Sequence, residues 1–176
     1  MTNPPMSNPP TTNPSGRWPR PDPQSALVVL VAEAEPLVAR FRAAHDPAAA
    51  AGIPAHITIL FPFRAPARID AAATARLAAC LRPHAPFAYA LTAIRRFPGA
   101  LYLAPDPAAP FRALTRAVWA AFPDHAPYEG RHRAILPHLT VAQSGDERAL
   151  DRIERDLAAA ARPHLPLHAA AAAITL

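Results

Sequence analysis

Lysine is missing from the 176-residue chain, so all 18 of its basic residues are arginine. Cysteine is nearly missing: Cys80 stands alone, which excludes an internal disulfide and a thiolate zinc cluster. It falls on the apolar side of a predicted helix, where it reads as packing. No apolar run is long and pure enough to span a bilayer. The N-terminus lacks the basic-then-apolar layout of a secretory signal, so a cytoplasmic location is the expectation. Much of the 51% apolar fraction is alanine, which fills little volume. The core therefore depends on a modest set of Leu, Ile, Val and Phe. The net charge of +5 permits a polyanionic partner without requiring one. Arginine grips phosphate through a bidentate fork, but Ala, Arg and Pro in such abundance are also what a biased genomic composition produces.

What is present is a pair of matching stretches, His56-Ile57-Thr58-Ile59 and His138-Leu139-Thr140-Val141. Each reads as strand, because Ile, Val and Thr suit a pleated, half-buried surface. Side chains alternate between the faces of a strand. His56 and Thr58 then share one face while Ile57 and Ile59 anchor the other; His138 and Thr140 oppose Leu139 and Val141 in the same way.

Residues 1–24 are rich in Pro, Asn, Thr and Ser, with no apolar period, and read as a disordered tail. Residues 25–31 form a continuous apolar run and read as a buried strand. A helix follows from Glu35-Pro36, with Leu37, Val38 and Phe41 as its stripe. The first motif strand covers about residues 55–61, with Phe61 on the core face and Phe63 at the rim. Residues 69–81 are helical, 87–94 a strand and 95–99 a turn or loop. A short strand at 100–104 and a helix at 107–122 come next, then a loop at 123–133. The second motif strand covers 135–143. Ser144-Gly145-Asp146-Glu147 has capping-box spacing ahead of a helix to about Ala161. Residues 168–176 make a final strand.

The order strand, helix, motif strand, helix, strand thus occurs twice, in units of about 25–94 and 100–176. Matching elements are offset by roughly 75–82 residues, an internal duplication of topology. The expected fold is α+β: a single domain over 25–176, bilobal and pseudo-twofold, with antiparallel sheets lining a central groove. His56 and His138 fall at equivalent places and are expected to face each other.

A histidine titrates near 6.5, so one ring of such a pair can accept a proton while the other donates one. Two neighbouring threonine hydroxyls suit a phosphate whose non-bridging oxygens gain charge in the transition state. This chemistry calls for no cofactor and no metal. A lone His-x-Thr is weak evidence, since one strand histidine is usually a hydrogen-bonded packing residue. Its weight comes from recurrence at the same step of a repeat.

With both motifs in view, the chain resembles the two-histidine phosphoesterases, in particular the bacterial 2′-5′ RNA ligase or RNA 2′,3′-cyclic phosphodiesterase branch. The resemblance is carried by Pro54-Ala55-His56-Ile57-Thr58-Ile59-Leu60-Phe61-Pro62-Phe63, by Leu136-Pro137-His138-Leu139-Thr140-Val141 and by Ala100-Leu101-Tyr102-Leu103-Ala104-Pro105. It implies that His56, Thr58, His138 and Thr140 bind a 2′,3′-cyclic phosphate or a 2′-5′ phosphodiester. It further implies His138 as the base toward water and His56 as the acid toward the departing ribose oxygen. RNA ends or cyclic nucleotides would be the substrates of a monomeric enzyme that also ligates in reverse. Relatives are expected to continue past the last strand with a further hairpin. This chain ends at Ile174-Thr175-Leu176, within a strand, so a truncated C-terminus with an open strand edge is expected.

Phe63, Tyr102 and Tyr128 are candidates to stack a base at the groove rim. Arg131 and Arg133, and Arg95 and Arg96, are candidates to reach phosphates, against the plainer reading of solvated loop charges. His45, His84, His125 and His132 read as surface residues. His164 and His168 have metal-like spacing, but Pro163 and Pro166 argue against a helix there. Two other classes stay open: an RNA-end or nucleotide-binding module without turnover, and a different hydrolase or lyase using the same pair.

Overall fold

The computed structural model describes residues 24–130 and 134–176, and the expected N-terminal tail lies outside them apart from Gln24. The first half runs β1 (Leu27–Leu30), α1 (Glu35–His45), α2 (Pro47–Ala50), β2 (His56–Leu60), α3 (Ala71–Leu81) and β3 (Phe87–Phe97). The second runs β4 (Ala100–Asp106), α4 (Ala109–Ala121), β5 (Leu139–Gln143), α5 (Glu147–Ala161) and β6 (Leu167–Ala171). The α+β class and the repeated order follow the sequence pattern. Short α2 is an addition, capped by the Asp46 side chain accepting from Ala48 N–H at 3.0 Å.

The strands form two antiparallel sheets that curl into a half-barrel: β1-β2, and β5-β4-β3-β6. The packing exchanges elements between the two halves of the sequence. Helix α1 lies on β5 and touches α5, while α4 lies on β2 and touches α3. Each motif strand is therefore backed by the first helix of the other half, and β2 and β5 lie side by side. Strand β3 pairs with β6 through its first half, with Tyr89 opposite Ala169, and with β4 through its second. Beyond β6, Thr175 bridges back to Val28 of β1 through paired backbone bonds of 2.9 and 2.8 Å. One apolar cluster runs from Leu27 to Ala171 through both sheets. Three helix stripes pack into it against the strands: Leu37, Val38 and Phe41; Phe111, Leu114 and Val118; Leu150, Ile153 and Leu157.

Two local readings are corrected. Residues 95–97 are strand, not loop, because β3 continues to Phe97 and turns at Pro98-Gly99 into β4. Pro98 favours such a turn and Gly99 supplies φ +79°, which a side chain resists. The charges of Arg95 and Arg96 hid the strand. The helix after β5 begins at Glu147, with Asp146 rather than Ser144 as the N-cap: its carboxylate accepts from Arg148 N–H at 2.9 Å. Ser144 Oγ instead accepts from Asp146 N–H at 3.1 Å. The aspartate carries the charge that helix N–H groups prefer.

Tyr89 is 3% exposed, edge-on to Phe111 at 4.9 Å, and its buried hydroxyl has no hydrogen-bond partner among the described residues. Burial, with Glu33 as the smaller cause, pushes its pKa far up. An unpaired buried hydroxyl costs stability, so Tyr89→Phe is expected to raise it by about 1 kcal/mol. An unchanged or lower urea midpoint would show that the hydroxyl finds a partner.

Candidate functional site

Burial along the motif strands follows the predicted alternation. Ile57 and Ile59 are 0% and 2% exposed, while His56 and Thr58, alternating with them, are half-buried. Leu139 and Val141 are fully buried, with His138 and Thr140 half-buried. The two histidines are held alike. His56 Nδ1 lies 2.7 Å from the Pro54 carbonyl oxygen and His138 Nδ1 2.6 Å from that of Leu136, in each case two residues back. A carbonyl only accepts, so each neutral ring carries its proton on Nδ1 and its lone pair on Nε2. One backbone device thus sets one tautomer at both sites.

The segment leading to His56 is fixed residue by residue. Arg42, 2% exposed, donates from Nη2 to the Ile53 carbonyl at 3.0 Å and from Nε to Asp46 at 2.9 Å. Glu35 accepts from Ala55 N–H and lies 3.7 Å from Arg42 Nη1. Val31 N–H closes on the Ala55 carbonyl at 2.8 Å. Glu35 and Arg42 sit on α1 and Asp46 just past its end, so the helix that backs β5 also aims His56.

Burial holds the His56 pKa below its ordinary value of 6.5; the Pro54 hydrogen bond opposes this, Arg42 adds to it and Asp46 opposes it. The folded protein then binds fewer protons here than the unfolded chain in a window below pH 6.5. The stability from neutral His56 is complete above pH 6.5 and is lost as pH falls through the lowered folded value. His56→Ala should therefore flatten the dependence of the urea midpoint on pH in that window. An equal slope in both proteins would contradict this.

His138 stands against two aromatic rings. Phe97 lies edge-on at 5.0 Å and Tyr102 at 5.5 Å, and these two stack on each other at 4.2 Å. Tyr102 thus lies against His138. Phe97 falls in a segment that reads as a turn in the sequence, and the alternation of Phe87, Tyr89 and Leu91 would put it on the core face; the bulge between Leu91 and Ala93 turns it toward His138 instead. The register sets Arg95 opposite Tyr102 and Tyr102 opposite Thr140. Directly paired residues share a face, so Arg95 belongs to the face that carries Thr140. Arg96 does not. It binds Asp151, Glu147 and Glu154 of α5 at 2.7, 2.6 and 3.3 Å and is a structural ion-pair hub.

Tyr128 is hydrogen-bonded to the Thr58 side chain, and burial raises its pKa with Thr58 opposing. Its N–H donates to the Phe61 carbonyl at 2.6 Å. The loop gets there through positive φ at Tyr128, Glu129 and Gly130, a backbone cost that only a firm surround sustains. The readings of Phe61 and Phe63 are reversed. Phe61 is 39% exposed, while Phe63 is 5% exposed and packs edge-on against Phe122 at 5.0 Å. Strand β2 ends at Leu60, so its alternation does not carry through Phe61-Pro62-Phe63. Arg131 and Arg133 lie outside the described residues. Among those residues no three His, Cys, Asp or Glu side chains cluster as a metal site would require, and no helix is long and apolar enough to cross a membrane.

The second motif strand starts only at Leu139, so residues 135–138, expected as strand, lead into it and His138 sits just ahead of it. Fold and site define a class of protein: a duplicated α+β chain that sets a histidine and a threonine at the start of each of two adjacent motif strands. A family model described as the 2′-5′ RNA ligase superfamily matches residues 30–176, both motifs included. The chain belongs to that superfamily. No curated protein matches it.

Proposed function

We propose that the protein is a metal-independent phosphodiesterase acting on 2′,3′-cyclic phosphate or 2′-5′ phosphodiester RNA ends, through His56 and His138 as an acid–base pair. The observation that carries this reading is the identical clamp on the two rings, which gives both the tautomer that acid–base catalysis requires. In the proposed reaction one phosphate lies between the rings. His138 Nε2 takes a proton from water as the new P–O bond forms. His56, protonated on Nε2, gives its proton to the ribose oxygen as the old P–O bond breaks, leaving a phosphomonoester and a hydroxyl. A lowered pKa makes the His56 imidazolium the stronger donor, and the arriving phosphate anion favours forming it. Thr58 and Thr140 hydroxyls donate to the non-bridging oxygens. Tyr128 backs Thr58, Tyr102 with Phe97 backs His138, and Arg95 shares the Thr140 face. A 5′-hydroxyl in place of water runs the scheme backwards as ligation.

The test is hydrolysis of a nucleoside 2′,3′-cyclic phosphate with excess EDTA. Turnover that persists under chelation is expected. A strict metal requirement would overturn the mechanism, and tight RNA binding without turnover would leave a binding module.

A further inference from the structure

A cleft of about 700 Å³ opens beside the motif, with Thr58 and Tyr128 on one wall and Leu136, next to the His138 loop, on another. Its remaining wall is α4, which contributes Arg112, Arg116 and Trp119. These stand at i, i+4 and i+7 and so share one helix face, opposite the buried Phe111, Leu114 and Val118. Neither arginine side chain forms an ion pair or hydrogen bond with any described residue. The contrast with Arg42 and Arg96, each tied to carboxylates, is sharp. Trp119 is 40% exposed and Leu136 53%, both large apolar groups left in water at the cleft.

Two arginines with no ion-pair partner among the described residues, beside an exposed indole, match a nucleic-acid strand. The guanidinium forks suit phosphodiester oxygens, and the indole face suits a stacked base of any identity. A 2′,3′-cyclic phosphate closes the 3′ end of a strand, so a chain anchored there by its phosphate continues only in the 5′ direction. We infer that the cleft beside Thr58 is a subsite for the nucleotides upstream of the reacting phosphate. Arg112 and Arg116 hold backbone phosphates and Trp119 stacks a base, which makes the substrate an oligoribonucleotide end rather than a free mononucleotide. This rests on the proposed reaction at His56 and His138, and it adds the length of the substrate to it.

The experiment compares kcat/KM for a 2′,3′-cyclic mononucleotide and for a short oligoribonucleotide ending in the same cyclic phosphate. The wild-type protein should favour the oligomer by about tenfold or more. The Arg112→Ala/Arg116→Ala double variant and Trp119→Ala should each erase most of that preference, leave the mononucleotide rate unchanged, and in the arginine case weaken the salt dependence of oligomer turnover. Trp119→Phe should restore much of it. Equal rates on the two substrates, or a preference that survives in the variants, would overturn the subsite. If neither substrate turns over, the proposed reaction fails on its own. Anisotropy of a labelled 3′-phosphorylated oligoribonucleotide then decides the subsite: binding that the arginine variant weakens supports it, and binding it leaves unchanged refutes it.

Discussion

His56→Ala and His138→Ala should each lower kcat/KM on a 2′,3′-cyclic phosphate by about 10²–10⁴, the usual contribution of a positioned acid or base. Both rings are half-buried at the ends of backbone hydrogen bonds, so folding should survive their removal. Matching circular dichroism spectra would separate lost chemistry from lost structure. The double variant should be little slower than the worse single one, because an acid and a base that act in one step fail as a unit. Thr58→Ala and Thr140→Ala remove one phosphate donor each and should cost about 10². A protein that keeps near-wild-type activity after loss of either histidine would contradict the paired mechanism.

Arg42→Ala is expected to destabilise the fold by about 3–5 kcal/mol, the cost of stranding a buried charge. Asp46 is 3% exposed and would be left without its cation, and the Ile53 carbonyl would lose its donor. That is a large share of the ~5–15 kcal/mol that holds a typical domain together. Arg42→Lys should recover only part of it, since one ammonium cannot reproduce the fork that meets Asp46 and Ile53 together. Urea unfolding of the three proteins checks this. A loss under about 1 kcal/mol for Arg42→Ala would show that water or a neighbour replaces the guanidinium. The variant also bears on function: Ile53, Pro54 and Ala55 are the residues the network holds in line before His56.

The sequence pattern reached the elements and the faces of the motif strands. Ile57, Ile59, Leu139 and Val141 are buried where a two-residue period puts them, because strand alternation is local geometry. It did not reach the exchange of helices between the halves. Periodicity shows that α1 has an apolar stripe but carries nothing about which strand the stripe covers, and α1 lies on β5. Alternation also fails where a strand ends, which is why Phe61 and Phe63 came out inverted. Arginine was the least legible residue. Arg42, Arg96, Arg112 and Arg116 look alike in the sequence; one is buried in a clamp, one binds three carboxylates and two face a cleft. Only the surroundings tell them apart.

The central claim is that His56 and His138 act on one phosphate. A crystal structure of the protein with a nucleoside 2′-phosphate or 3′-phosphate tests it most directly. A single phosphate is expected, with Nε2 of both rings within about 2.6–3.2 Å of its oxygens and the Thr58 and Thr140 hydroxyls beside them. A phosphate held by one histidine, with the other ring turned into a separate pocket, would contradict it.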